Sequence, residues 1–174
     1  MTPQRQLIVM RHAKAGELPG GPDAERALRP RGHRNAVAAG QWLASRGVLP
    51  DLVLCSSARR ARQTWQHVSG ELAGQPKVAT DPRLYQADAG DLLDIFSETP
   101  PDVRSLMYVG HNPAAADLVE MLTGSPVEFP TAAVAILVLA VSWTDLAGLP
   151  GAAAGLPGTP AELTAFWFPQ ADVG

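Results

Sequence analysis

The sequence predicts a three-layer α/β/α sandwich with a mostly parallel central sheet, built as a single domain over residues 1–174. Two observations carry this. Short apolar runs such as Leu7-Ile8-Val9-Met10 and Leu106-Met107-Tyr108-Val109 are too brief for a helical period and read as strands buried on both faces. Between the runs lie segments with apolar residues spaced by three and four, the pattern of helices with one buried stripe. Strands alternating with helices require crossover connections, and so helices on both faces of the sheet.

The first strand ends at Arg11-His12. Residues 15–29, with Pro19-Gly20-Gly21-Pro22, read as a loop that leaves the strand's carboxyl end and can wall a pocket there. Pro30 opens a helix whose Gly32, Ala36, Ala39 and Leu43 share a face, and Gly47 stops it. Leu52-Val53-Leu54-Cys55 is the second strand. In the helix that follows, Ala58, Ala61, Trp65, Val68 and Leu72 form one stripe, with Ser56 or Ser57 as its expected N-cap. Lys77 to Thr80 reads as a short edge strand, and a helix from about Gly90 turns Leu92, Leu93 and Phe96 inward. After the strand from Leu106, Asn112-Pro113 reads as a capping side chain with proline in the first turn, ahead of Ala115, Leu118 and Leu122. Ala132 to Val141 is long enough for a central strand, and Leu163 to Phe168 is the last. The Gly-, Ala-, Leu- and Pro-rich stretch Asp145 to Pro160 reads as a low-complexity surface loop.

Composition narrows the function. A hydrophobic fraction of 46% and a charged fraction of 18% suit a globular chain, and a net charge of −3 supplies no basic stripe for nucleic acid. Any anion site must be local. The single cysteine, Cys55, excludes an intrachain disulfide and fits a reducing compartment. The N-terminus lacks a signal-peptide core, and no apolar run approaches the roughly 20 residues a membrane helix needs. A cytoplasmic protein without membrane contact is expected.

Three strand ends share one theme: Arg11-His12, Ser56 with Arg60, and Gly110-His111-Asn112. In open α/β sheets, ligands bind beyond the carboxyl ends of the strands, so two histidines and at least two arginines converge on what reads as a phosphate pocket. His12 is a candidate nucleophile. A neutral imidazole can attack phosphorus through one ring nitrogen while the other donates to a backbone carbonyl. Arg11, Arg60 and His111 can position the phosphoryl group and cancel its charge, with Ser56, Lys14 and Asn112 as further substrate-binding candidates.

These residues carry a resemblance. Arg11-His12 after a buried strand, Ser56 with Arg60-Ala61 and Gln63-Thr64, and Gly110-His111-Asn112-Pro113 together resemble the histidine phosphatase superfamily, the phosphoglycerate mutase-like group. Arg11-His12-Ala13-Lys14-Ala15, and Asp23 with Arg26, Leu28 and Arg31-Gly32, make the chain most similar to SixA-type protein phosphohistidine phosphatases. The resemblance spans Leu7 to about Leu139. It implies a phosphoglycerate mutase-like fold, His12 as the phosphorylated nucleophile, and Arg11, Arg60 and His111 as its phosphate-binding partners.

Two positions depart from the family pattern. Ala13 stands where a glycine usually follows the histidine, and Leu84-Tyr85-Gln86 offers no glutamate where many members carry a proton donor. Asp88 and Asp91 are the nearby substitutes, each more simply read as a solvated residue or a helix cap. A missing acid has a chemical meaning. An alkoxide leaving group, whose alcohol has a pKa near that of water at about 15.7, needs a proton donor far more than imidazole, whose conjugate acid lies near about 6.5. The site therefore suits an N–P bond.

The expected function is hydrolysis of phosphohistidine on a protein through a covalent phospho-His12 intermediate. The alternatives are a phosphomonoesterase acting on a small phosphorylated metabolite and a non-catalytic phosphate-binding module. Cys55 does not head a cysteine-phosphatase loop, because the position that needs arginine is Ala61. No histidine or cysteine pair has ligand spacing, so neither metal nor cofactor is expected. His33 and His67 read as solvated or structural, and Arg29, Arg31, Arg59 and Arg62 as a solvated face or a rim for an acidic phosphoprotein.

Overall fold

The computed structural model describes residues 4–149 and 158–170. The chain runs β1 (Arg5–Arg11), α1 (Pro30–Ser45), β2 (Leu52–Ser56), α2 (Arg59–Glu71), β3 (Lys77–Asp81), α3 (Ala89–Ser97), β4 (Ser105–Gly110), α4 (Ala114–Thr123), β5 (Val134–Leu139) and β6 (Ala161–Trp167). These strands form one sheet in the order β3-β2-β4-β1-β5-β6. The pairs β3/β2, β2/β4 and β4/β1 are parallel, whereas β1/β5 and β5/β6 are antiparallel. The result is an α/β sandwich with a mixed, mainly parallel sheet.

Alternation along each strand divides the core. Ile8 and Met10 of β1, with Met107 and Val109 of β4, pack with Ala36, Ala39 and Leu43 of α1 and Trp65 and Val68 of α2. Leu7, Val9, Leu106 and Tyr108 point the other way, to Leu92 and Phe96 of α3 and Leu118 and Leu122 of α4. Leu7 to Met10 are all fully buried, and burying each such side chain contributes about 1.5–3 kcal/mol. Covered on both faces, the Leu7 to Met10 stretch of this central strand has no place for a polar residue. Its polar pair is therefore delivered at Arg11-His12, in register with Gly110 of β4, while Cys55 of β2 lies opposite Val109.

Two glycines permit close approaches at this end. A Cβ on Gly32 would stand 2.2 Å from the carbonyl oxygen of Lys14, and one on Gly110 would stand 2.0 Å from the Tyr108 hydroxyl. That hydroxyl accepts the backbone N–H of His111 at 3.1 Å, so Gly110 leaves room for the residue that secures His111.

Several local expectations are corrected. The N-cap of α2 is Ala58 and no side chain caps it, so neither Ser56 nor Ser57 fills that role. Ser56 Oγ accepts from Ala58 N at a long 3.3 Å and spends its short bond of 2.7 Å on His111 Nε2. Asn112 does not cap α4. The helix begins after Pro113, and the Asn112 amide donates to Phe129 O at 2.8 Å instead. Leu72 is half-buried at the end of its stripe. The loop expected over 15–29 contains a bridge between Ala15 and Leu28 and a 3₁₀ turn, Asp23–Glu25. The stretch 145–160 is not surface throughout, because Leu146 ends a 3₁₀ turn and is fully buried in the α3/α4 core. Residues 150–157 of that stretch lie outside the described residues.

Candidate active site

His12 leaves β1 with its backbone held on both sides. Its N–H donates to Gly110 O at 2.8 Å, and its carbonyl accepts from Ala132 N at 3.1 Å. Ala132 has φ +66°, a left-handed conformation that an L residue adopts at some cost, held here by the residues around it. The next peptide is pinned too: Ala13 N–H donates to Thr64 Oγ1 at 2.9 Å, and the same hydroxyl donates to Arg60 O at 2.7 Å. Gln63 Oε1 takes Leu28 N–H at 2.8 Å. The Gln63-Thr64 pair thus ties two flanking segments to α2.

The His12 ring has a determined tautomer. Nδ1 lies 2.7 Å from Ala13 O, an acceptor only, so Nδ1 carries the proton. Nε2 lies 3.2 Å from Arg60 Nε, a donor only, so Nε2 carries the lone pair. Burial holds the ring neutral, pushing its pKa down to about 3, with the neighbouring His111, Arg60 and Arg11 adding to the shift and the Ala13 hydrogen bond opposing it. His111, with its ring centroid 5.2 Å from that of His12, is lowered to about 4, first by burial and then by Arg60.

Around this ring opens a pocket of about 450 Å³, within the size range of small-molecule sites, about 300–1,000 Å³. Arg11, His12, Lys14, Arg60, His111 and Asn112 all line it. Ser56 does not. It is fully buried and reaches the pocket only through its hydrogen bond to His111. Arg11 Nη1 donates to Phe129 O at 3.0 Å while its Nε is buried without a partner. Asp88 and Asp91 stand apart as the reciprocal capping box of α3, which removes both as candidate acids. Arg29, Arg31, Arg59 and Arg62 are exposed and do not line the pocket. His33 and His67 pair with each other across α1 and α2, 2.6 Å from Nδ1 to Nε2. Cys55 is buried and its thiol is pushed up to about 12, the state of an unreactive core residue.

Reasoning from sequence missed Asp23, Arg26, Tyr85, Gln86 and Thr131 as pocket residues. Asp23 and Arg26 had a signal, since they belong to the family-like pattern on the segment expected to wall the pocket. At Tyr85 and Gln86 the only sequence signal is the absence of a glutamate. Four cationic side chains and one carboxylate, arranged around an imidazole whose Nε2 lone pair accepts from Arg60, suit a phosphoryl dianion.

Comparison with known proteins finds relatives that match most of the chain. The family model described as histidine phosphatase superfamily (branch 1) matches residues 7–115. An uncharacterized protein of Mycobacterium tuberculosis (strain ATCC 25618 / H37Rv) is 37% identical over 156 residues, covering 83% of this chain and 95% of its own. Among solved structures, a candidate phosphohistidine phosphatase SixA from Nakamurella multipartitia superposes with a TM-score of 0.80 at 31% identity, covering 97% of this chain and 98% of its own. Its counterpart from Agrobacterium tumefaciens gives 0.78 at 28% identity, covering 95% and 98%.

Proposed function

Because the chain belongs to the histidine phosphatase superfamily, we propose that it hydrolyses phosphohistidine on a protein through a phosphorylated His12. The observation that carries this reading is the His12 ring, neutral, with Nδ1–H on Ala13 O and the Nε2 lone pair turned into a cationic pocket. Nε2 attacks phosphorus, the P–N bond of the substrate breaks, and the departing imidazole keeps the electron pair. Water then attacks the phosphorus of phospho-His12, the P–Nε2 bond breaks, and orthophosphate leaves. Arg11 and Arg60 hold the equatorial oxygens, with His111 beside them. The preference for an N–P bond is supported by the acid–base content of the pocket. Its one carboxylate among the described residues, Asp23, is held as an anion with its pKa lowered to about 2, first by the Tyr85 hydroxyl, so no carboxylic acid stands ready for an alkoxide. The names carried by the Nakamurella and Agrobacterium structures point the same way.

Phosphate release from a histidine-phosphorylated protein and from an aryl phosphate ester, measured side by side for wild type and His12→Ala, tests the proposal. Faster release from phosphohistidine, lost in the variant, is expected, together with an acid-labile phosphoenzyme after rapid quench. Faster release from the ester would move the reading to a metabolite phosphatase, and full activity in His12→Ala would end the covalent mechanism.

A further inference from the structure

Asp23 has more partners in this pocket than the proposed chemistry uses. Its Oδ1 accepts from Arg26 Nε at 2.8 Å, and its Oδ2 accepts from Arg60 Nη2 at 3.1 Å and from the Tyr85 hydroxyl at 2.5 Å. Its backbone oxygen takes Arg60 Nη1 at 2.9 Å. The remaining guanidinium nitrogen, Nε, faces His12 Nε2. All three nitrogens of Arg60 are thus engaged by the protein, and the lone pair that must attack phosphorus is covered by an Arg60 N–H.

We propose that Asp23 is a latch: its carboxylate holds the Arg60 Nη2 donor that a phosphoryl group needs, helps its backbone oxygen keep Arg60 across the His12 lone pair, and is displaced when a phosphoryl anion enters. This rests on the phosphatase reading of the site and names the residue that sets its anion affinity. The exposures of the two partners say which one moves. The Arg60 side chain is 7% exposed and anchored on α2, whereas that of Asp23 is 53% exposed on the 3₁₀ turn Asp23–Glu25. A carboxylate and a phosphoryl group offer guanidinium the same kind of paired oxygen acceptors, so exchange keeps the charge-assisted hydrogen bonds of Arg60 while freeing Nε2. Once displaced, the carboxylate retains Arg26 and Tyr85 as partners on the rim. As an anion throughout the neutral range, it competes with phosphate at full charge.

Asp23 is a positioning residue in this account, and the sign of its effect separates it from a structural prop. A latch lowers apparent affinity by the fraction of molecules in which it is closed. Calorimetric titration of inorganic phosphate into wild type, Asp23→Asn and Glu25→Gln tests it, the last removing the same charge from the same turn. Asp23→Asn is expected to bind phosphate on the order of tenfold more tightly, as for a latch closed about nine-tenths of the time. Glu25→Gln is expected to match wild type within roughly twofold, since an exposed charge is screened by solvent and salt. Weaker or unchanged binding in Asp23→Asn, equal gains in both variants, or no measurable binding to any of the three proteins would overturn the latch. Turnover of a histidine-phosphorylated protein, measured separately, is expected to show a lower KM in Asp23→Asn. If turnover is absent in all three while phosphate still binds more tightly to Asp23→Asn, the phosphatase reading fails and the latch stands. Unchanged thermal unfolding midpoints would confirm that the comparison is between folded proteins.

Discussion

Thr64 accepts the backbone N–H of Ala13 at 2.9 Å and donates to Arg60 O at 2.7 Å, so one buried hydroxyl joins the peptide after the candidate nucleophile to the helix that carries its arginine. Replacing Thr64 with valine keeps the shape and removes both bonds, leaving a buried N–H without an acceptor. Urea denaturation should show a loss of about 1–3 kcal/mol. Phosphate release should fall with it, and Thr64→Ser should recover most of both.

Gly32→Ala tests the close packing of α1 on the His12 segment. The new methyl would stand 2.2 Å from Lys14 O, a backbone atom that cannot turn aside. Overpacking of this kind typically costs about 1–3 kcal/mol. The thermal midpoint should drop, and because Lys14 lies two residues from His12, phosphate release should drop further than stability alone explains.

Stability should fall as the solution is acidified below the ordinary histidine range. His12 and His111 titrate near 3 and 4 in the folded chain against 6.5 in the unfolded one, both mainly through burial. Between those values the unfolded chain binds the extra protons, so unfolding free energy rises with pH, by up to about 1.4 kcal/mol per unit for each histidine. The contribution is complete above pH 6.5 and is lost on descending toward pH 4 and 3. Asp23, lowered to about 2 from 3.8, acts with the same sign in a more acidic window. Urea midpoints from pH 7 to 4 should flatten in His12→Ala, and the His12 ring should show no titration near 6.5 by NMR.

Asp88→Ala separates a helix cap from a proton donor. Asp88 accepts Asp91 N–H at 2.9 Å, while the Asp91 carboxylate takes Asp88 N–H at 3.0 Å. Losing this cap should cost about 1 kcal/mol in unfolding experiments. Phosphate release per folded molecule should stay at the wild-type rate, and a large fall would restore Asp88 as an acid.

Much of the arrangement was legible because it is local. A four-residue apolar run cannot satisfy a helical period, so β1 and its polar end at Arg11-His12 could be read directly. The stripes of α1 and α2 followed from spacing in the same way. Local reading failed where a side chain had two possible partners. Ser56 and Asn112 have the chemistry of helix caps, yet their short hydrogen bonds go to His111 and Phe129, one just past the end of β4 and the other in the chain after α4. Leu146, in a stretch of low complexity, gave no periodic sign that it would enter the core.

By itself the sequence determined the alternation of strands and helices and the convergence of His12, Arg11, Arg60 and His111 at the strand ends. Periodicity and the rule for parallel sheets need no partner to be known. Only the tertiary structure decided which nitrogen of His12 bears the proton, that Thr64 braces Ala13, and that Asp23 rather than Asp88 or Asp91 faces the pocket. Those are contacts between atoms far apart in the chain. Hydrogen-bond geometry and burial, which set protonation and pairing, exist only once the segments have packed.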